Sequence, residues 1–349
     1  MIIEQEIKLD YKDVLFRPKR STLESRKEVD LTREFVFRNS GQKRKGVPIV
    51  AANMDTIGTF EMAKVLYEYG MITCLHKFYT SEEIIEESKH DYFQNVAVSI
   101  GILESDLQKL DTIMSKTDRI KWICVDVANG YTQRFIATIA DIRAKYPDKI
   151  IIAGNVVTKE ITEELILKWA DIVKVGIWPG SVCTTRIQTG VWYPQLSAVI
   201  ECADAAHGIW WHVMADGGCT NPGDVAKWFG GGADFVMLGG MFAWHDECSS
   251  QLTEKDGKKY MEYYGMSSEV AMSKYYGGVA EYRSSEWKVV QVPYKWPVKD
   301  TVQSILGWVR STCTYIWAIK LKYLPKCTTF IRCNTQSNEY RSSNSKSMW

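Results

Sequence analysis

The sequence predicts an α/β chain of the (β/α)8 TIM-barrel class, and three observations carry that reading. Eight short apolar runs recur between residues 48 and 238, each ending in polar or Gly residues and each followed by apolar positions at helical spacing. The runs are near-continuous rather than alternating, as expected of parallel strands buried on both faces. Chemistry-bearing residues follow nearly every run, which suits a barrel whose strand ends converge on one mouth. A doubly wound sheet would gather them at one switch point, and no GxGxxG follows the first run.

Taken in order, residues 1–46 are mixed and charged, with basic patches at Arg17-Pro18-Lys19-Arg20 and Ser25-Arg26-Lys27, and read as an arm packed on a larger body. Residues 47–327 read as one barrel domain. Its strands are Pro48 to Ala52, Met71 to Leu75, Val96 to Val98, Ile123 to Val125, Ile150 to Ala153, Ile172 to Val175, His212 to Ala215 and Phe235 to Leu238. Between them, Phe60 to Tyr69 has helical spacing, and Phe135, Ile136, Ile139 and Ile142 stripe a helix that Pro147 stops. Asn221 caps another, with Pro222 at its first position. Two insertions break the rhythm, a loop at 176–197 after strand six and a long lid at 241–297 after strand eight, with a charged hairpin at Glu254 to Lys259. Long loops on a barrel's catalytic face tend to be functional. The tail at 328–349 is polar and Ser/Asn-rich and is expected to be disordered.

Composition narrows the function classes. A formal net charge of +1 gives no field for nucleic acid or an anionic membrane, so small partners are expected. Nine cysteines, with no CxxC pair and no zinc spacing, read as reduced thiols of a cytoplasmic protein. No apolar run approaches the roughly 18 residues of a membrane span.

The chemistry centres on the loop after strand six, where Gly180-Ser181-Val182-Cys183-Thr184-Thr185-Arg186 delivers one cysteine among hydroxyls and an arginine. Backbone N–H groups and a nearby cation favour a thiolate in such a loop, although a single cysteine at a turn also serves as a small apolar residue. Asp216-Gly217-Gly218 and Leu238-Gly239-Gly240 end the last two strands, where barrels commonly bind phosphate. A carboxylate before a glycine pair suits a ribose diol. The constellation is a nucleotide monophosphate and a nucleophilic thiol.

Six segments in order then carry a resemblance: Ala51-Ala52-Asn53-Met54-Asp55-Thr56, Asp126-Val127-Ala128-Asn129-Gly130-Tyr131, Ala153-Gly154-Asn155-Val156-Val157-Thr158, Gly180 to Arg186, Tyr193-Pro194-Gln195-Leu196-Ser197 and Gly278-Val279-Ala280-Glu281-Tyr282-Arg283. The chain resembles the reductase branch of the IMP dehydrogenase/GMP reductase family from about residue 5 to about 333. The resemblance implies NADPH-dependent reductive deamination of GMP to IMP and ammonia. In it, Cys183 attacks purine C2 to form a covalent thioimidate, hydride from NADPH reduces C2, and Thr185 with Glu286 protonates the departing amine. It places Ser181, Gly217, Gly218, Gly239 and Gly240 around the phosphate and Asp216 at the ribose. Gly265, Met266, Ser267, Arg283, Ser284 and Ser285 fall around the base. The implied NADPH residues are Ser25, Arg26, Lys77, Asp126, Val127, Ala128, Ile177, Trp178, Tyr282, Arg283, Ser311, Thr312, Cys313 and Thr314. Ser25 and Arg26 would reach a neighbouring subunit's cofactor in a homotetramer. Backbone carbonyls of Trp178, Gly180 and Cys183 match a potassium loop.

An IMP dehydrogenase-like activity is the nearest alternative. Only about 20 residues separate Leu75 from Val96, which leaves no room for that branch's regulatory insert, and its water-activating Arg-Tyr pair is not evident. A catalytically impaired nucleotide-binding or assembly homologue is the other alternative. The chain holds 13 Trp, of which Trp169, Trp178, Trp192, Trp211, Trp244, Trp287, Trp296, Trp308 and Trp317 stand where the family pattern has Gly. A non-Gly residue held at positive φ costs on the order of 1–3 kcal/mol.

Overall fold

The protein is represented by a computed structural model, which describes the chain except residues 2, 178–184, 251, 256, 265–267, 277–289 and 335–349. The eight apolar runs form eight parallel strands: Ile49–Ala51, Ile72–Cys74, Val96–Ile100, Trp122–Asp126, Ile150–Val156, Ile172–Val175, His212–Asp216 and Phe235–Leu238. The eighth pairs with the first, Val236 opposite Ile49, and closes the barrel. Inward residues such as Val50, Ile72, Cys124, Ile152, Ile172, Met214 and Phe235 pack the interior, so the barrel is a filled core rather than a pore. The outward faces of the same strands meet the helices in a second, larger core that includes Phe135, Ile139, Leu165, Val199 and Val225.

The helices begin where the sequence supplies caps. Thr59, Thr80, Thr132 and Asn221 each accept a backbone N–H of the first turn of the helix that follows. Pro222 occupies the first turn after Asn221.

The N-terminal residues close the bottom of the barrel. Arg33–Val36 and Lys43–Gly46 pair as an antiparallel hairpin, from which Phe35 stacks on Phe235 at 4.3 Å and Phe37 meets Trp122 edge-on at 5.4 Å. Farther out, Arg26–Glu28 forms a single turn against the helix Val298–Ile316. The tail expected to be disordered from about Thr328 is corrected over its first residues. Phe330–Arg332 forms a strand antiparallel to Val14–Phe16, and Phe16 and Phe330 meet ring to ring at 5.1 Å. That pairing gives the tail's start a backbone partner and an apolar contact that its composition alone does not announce.

Five helix ends share one geometry. Gly70 (φ 65°) and Gly232 (φ 105°) turn left-handed after their helices, and the N–H of the next residue returns to a carbonyl of the last turn, as in Met71 N–H to Leu66 O. Trp169 (φ 75°), Trp210 (φ 70°) and Trp317 (φ 62°) make the same turn, with Ala170 N–H to Leu165 O, Trp211 N–H to Ala206 O and Ala318 N–H to Cys313 O. Trp244 is also left-handed, at φ 79°. The expectation of strain therefore holds for Trp169, Trp244 and Trp317. It is corrected for Trp192, Trp211, Trp296 and Trp308, which do not take positive φ; at residues 210–211 the left-handed position is Trp210. Trp178 and Trp287 lie outside the described residues.

Candidate active site

The strand ends converge on a polar network at the barrel mouth, and a lysine is its centre. Lys174 sits in the otherwise apolar sixth strand Ile172–Val175 with its side chain buried inside the barrel. Its Nζ donates to Asp126 Oδ1 at 2.5 Å, from strand four, and to Asp216 Oδ2 at 2.8 Å, from strand seven. Asn155 Nδ2, from strand five, donates to the same Asp216 Oδ2 at 2.9 Å and to Gly176 O at 2.7 Å. Gln195 Nε2 reaches in from the helix Gln195–Gly208 to Val175 O at 2.8 Å and Asp216 O at 3.2 Å.

Two glycines make this convergence possible. Gly154 lies opposite both Asp126 and Lys174 in the ladder, and a Cβ there would stand 2.6 Å from Lys174 Cβ. Gly176 takes φ 153°, and a Cβ there would fall 2.1 Å from Asp216 O. The loop that carries Cys183 therefore leaves the barrel against Asp216. After Asp216, Gly217 (φ 87°) and Gly218 (φ 97°) both use left-handed backbone, which explains the glycine pair.

Burial works to raise the Asp126 carboxyl, but the Lys174 charge and hydrogen bond, with Asn53 and the Lys77 charge, overcome it and hold the group below the usual carboxylate range. Burial opposes charge on Lys174 as well, and the two carboxylates outweigh it, so Lys174 stays protonated. Asn155 Oδ1 and Gln195 Oε1 are buried and accept no hydrogen bond. The Asn155 amide is fixed in orientation, because its nitrogen faces a carboxylate and a carbonyl, so Oδ1 is a true orphan acceptor. A ligand with hydroxyl or amide donors fits such atoms.

Of the residues expected around nucleotide and cofactor, Lys77, Asp126, Val127, Ala128, Ile177, Asp216, Gly217, Gly218, Gly239 and Gly240 stand at strand ends on this mouth. Ser25, Arg26, Ser311, Thr312, Cys313 and Thr314 do not join them. The helix Val298–Ile316 packs on the helices after strands one and seven, which flank strand eight, and strand eight is opposite the strand of Asp126 in the ring. On that side, the Arg26 guanidinium lies 5.8 Å from the Trp308 ring centroid, and Ser311 and Cys313 face inward and are buried. Thr185 opens the short helix Thr185–Thr189. Trp178, Gly180, Ser181, Cys183, Gly265, Met266, Ser267, Tyr282, Arg283, Ser284, Ser285 and Glu286 lie outside the described residues.

The segment after strand eight docks on the loop after strand one. Asp55, fully buried, accepts at Oδ2 from Tyr264 Oη at 2.9 Å and Tyr275 Oη at 3.0 Å, with Lys274 Nζ at 3.4 Å. Phe78 stacks on Tyr275 at 3.5 Å. Beside them, His76 packs face to face on Tyr79 at 4.0 Å, and its Nδ1 accepts from Phe78 N–H at 3.2 Å.

Burial first, then the Lys274 and Lys109 charges, lower the His76 imidazole to about 4, against a pull upward from Asp55. In the unfolded chain the same ring titrates near about 6.5, so between about pH 6.5 and about 4 the unfolded state binds the extra proton and stability falls with falling pH. At about pH 5 this one group should contribute a loss of about 2 kcal/mol. Denaturant unfolding of wild type and His76→Asn at pH 7 and pH 5 measures it. The wild type should lose that much more than the variant, whose side-chain carbonyl still accepts from Phe78; equal losses would show that His76 is not the group.

Asn155, at the end of its apolar run, could be expected at the shared mouth, but Lys174, Gln195 and Asp55 did not stand out individually in the sequence. A charged residue within an apolar strand was the available signal for Lys174. Among the described residues no cluster of His, Cys, Asp or Glu is suited to hold a metal ion, the eight described cysteines are free thiols, and no helix is long and apolar enough to cross a membrane.

A closed (β/α)8 barrel with a bridged acid–lysine–acid mouth defines the class, a barrel enzyme whose chemistry sits at the C-terminal ends of its strands. The chain belongs to the IMP dehydrogenase/GMP reductase family: the profile described as "IMP dehydrogenase / GMP reductase domain" matches residues 8–343. It is 59% identical over 338 residues to human GMP reductase 2, covering 96% of this chain and 97% of that one. It is 58% identical over 341 residues to a GMP reductase of Vibrio cholerae, covering 97% and 98%. With human GMP reductase 1 the identity is 57% over 338 residues, covering 96% and 98%.

Proposed function

We propose that the chain converts GMP to IMP and ammonia with NADPH as reductant. The observation that carries this reading is the placement of Asp216: bridged to Lys174, beside the Gly217-Gly218 turn and against Gly176, where the Cys183 loop begins. In this reading the Cys183 thiol adds to purine C2, the C2–N bond breaks, and the amine leaves as ammonia, protonated through Thr185 from Glu286. When bound, NADPH supplies the hydride that replaces the amine at C2. The thiolate then departs and IMP is released, so GMP, NADPH and two protons become IMP, NADP+ and ammonium.

Asp126 and Lys77 offer an anion and a cation at the mouth, which suit the polar and charged groups of a dinucleotide. Ser25, Arg26 and Ser311 to Thr314 lie on the opposite wall, so a neighbouring copy would bring them to this mouth, which supports the homotetramer. Family resemblance supports a cytosolic location and a potassium ion on the carbonyls of Trp178, Gly180 and Cys183.

The test is a parallel assay of NADPH and ammonia after GMP is added to the purified chain. One NADPH oxidised per ammonia released is expected. NAD+ reduction with IMP in its place would give the dehydrogenase reading. Silence in both, relieved by restoring Gly at 178 and 287, would give the impaired one.

A further inference from the structure

Lys174 is the one cation among the described residues that touches both the strand-four and the strand-seven carboxylates, yet no step above uses it. Its two hydrogen bonds leave Asp216 held through Oδ2 alone, an oxygen that also takes the Asn155 amide. Asp216 Oδ1 accepts no hydrogen bond among the described residues, and Asn155 Oδ1 is buried and unpartnered. These are two acceptors on strands five and seven, either side of the strand of Lys174, fixed by one lysine and one amide, and a vicinal diol offers two donors to match. The burial of Lys174 inside the barrel gives it no solvent role.

We propose that Lys174 is a positioning residue that aims Asp216 and Asn155 at the ribose 2′- and 3′-hydroxyls and ties that grip to Asp126 on the cofactor side. The inference rests on the reading of Asp216 as the ribose residue of a GMP site. Removing the ammonium frees Asp216 to rotate toward solvent and sets it against Asp126 as an uncompensated like charge. The diol then loses its aligned acceptors while the phosphate and base keep theirs. A lysine that served only to hold the barrel together would weaken every nucleotide to the same degree.

The test compares GMP with 2′,3′-dideoxy-GMP by calorimetric binding to the full-length wild type, Lys174→Met, Asp216→Asn and the double variant. Wild type should prefer GMP by about tenfold to a hundredfold, the scale of lost hydrogen bonds to a charged group. Lys174→Met should reduce the preference to about threefold or less, and the double variant should show no further loss beyond Asp216→Asn, because both changes remove one interaction. If Lys174→Met does not fold, Lys174→Gln, which keeps a donor for one carboxylate, should give an intermediate preference. A wild type without preference would overturn the ribose reading of Asp216. A wild type with the preference and a Lys174 variant that retains it, or that weakens both nucleotides equally, would overturn the role given to Lys174.

Discussion

Replacing Cys183 by Ala is expected to lower GMP-dependent NADPH oxidation by at least about 10³-fold while leaving GMP affinity within a few-fold. The reaction exchanges an amine for a hydride at a carbon that cannot eject the amine unaided. In the proposed mechanism a covalent bond to the Cys183 sulfur divides that exchange into two easier steps, and without the thiol neither begins. Of the nine cysteines, eight are described, and five of these are buried: Cys74, Cys124, Cys202, Cys248 and Cys313. Burial raises the Cys202 thiol to about 12 and the Cys248 thiol to about 11, so neither supplies a thiolate near neutrality. Loss of activity with loss of GMP binding would point to a collapsed site. Retained activity would remove the covalent mechanism.

The combined change Trp169→Gly, Trp210→Gly and Trp317→Gly is expected to stabilise the chain by about 2–3 kcal/mol. Each residue holds the left-handed position that closes a helix, where an L side chain costs roughly 1–2 kcal/mol. Glycine returns about 0.4–1 kcal/mol of this through the freedom of the unfolded chain. The indoles contribute little to offset the strain, being 55%, 70% and 54% exposed. The visible losses are the Trp317 Nε1 hydrogen bond to Thr22 Oγ1 at 3.0 Å and the Arg38 guanidinium 5.5 Å from Trp210. The three helix ends are separate, so the gains should add. A rise in thermal midpoint of about 3–4 °C would report the effect. Trp308→Gly provides the opposite sign. That residue is inside the helix Val298–Ile316, where Gly is the poorer helix former, and it should destabilise by about 0.5 kcal/mol. If all four changes move stability the same way, backbone conformation is not the cause.

These tryptophans also show what a sequence discloses. The eight strands were legible because runs buried on both faces are apolar with few interruptions, Lys174 and Thr73 among them, and the caps Asn221 and Pro222 were legible because helix starts are local chemistry. The helix-closing tryptophans could be suspected only through the family pattern, which points to Trp211. The left-handed residue is its neighbour Trp210, since the turn is set by where the helix runs out rather than by residue type. The tail strand Phe330–Arg332 was hidden because its partner is more than 300 residues away. At the site, Asp126 and Asp216 stood out as acids at strand ends, but the lysine that joins them is seen only once strands four, six and seven share a mouth. Lys77 and Arg26 carry similar charges in the sequence, yet barrel closure puts one at the mouth and the other on the far wall.

Mass spectrometry of the enzyme quenched after mixing with GMP alone tests the central claim most directly, because the first half of the proposed reaction needs no reductant. The account predicts release of ammonia and a peptide containing Cys183 heavier by GMP less ammonia, absent in Cys183→Ala and cleared when NADPH is added before quenching. IMP formed in full turnover with no adduct on Cys183, or an adduct on another residue, would contradict it.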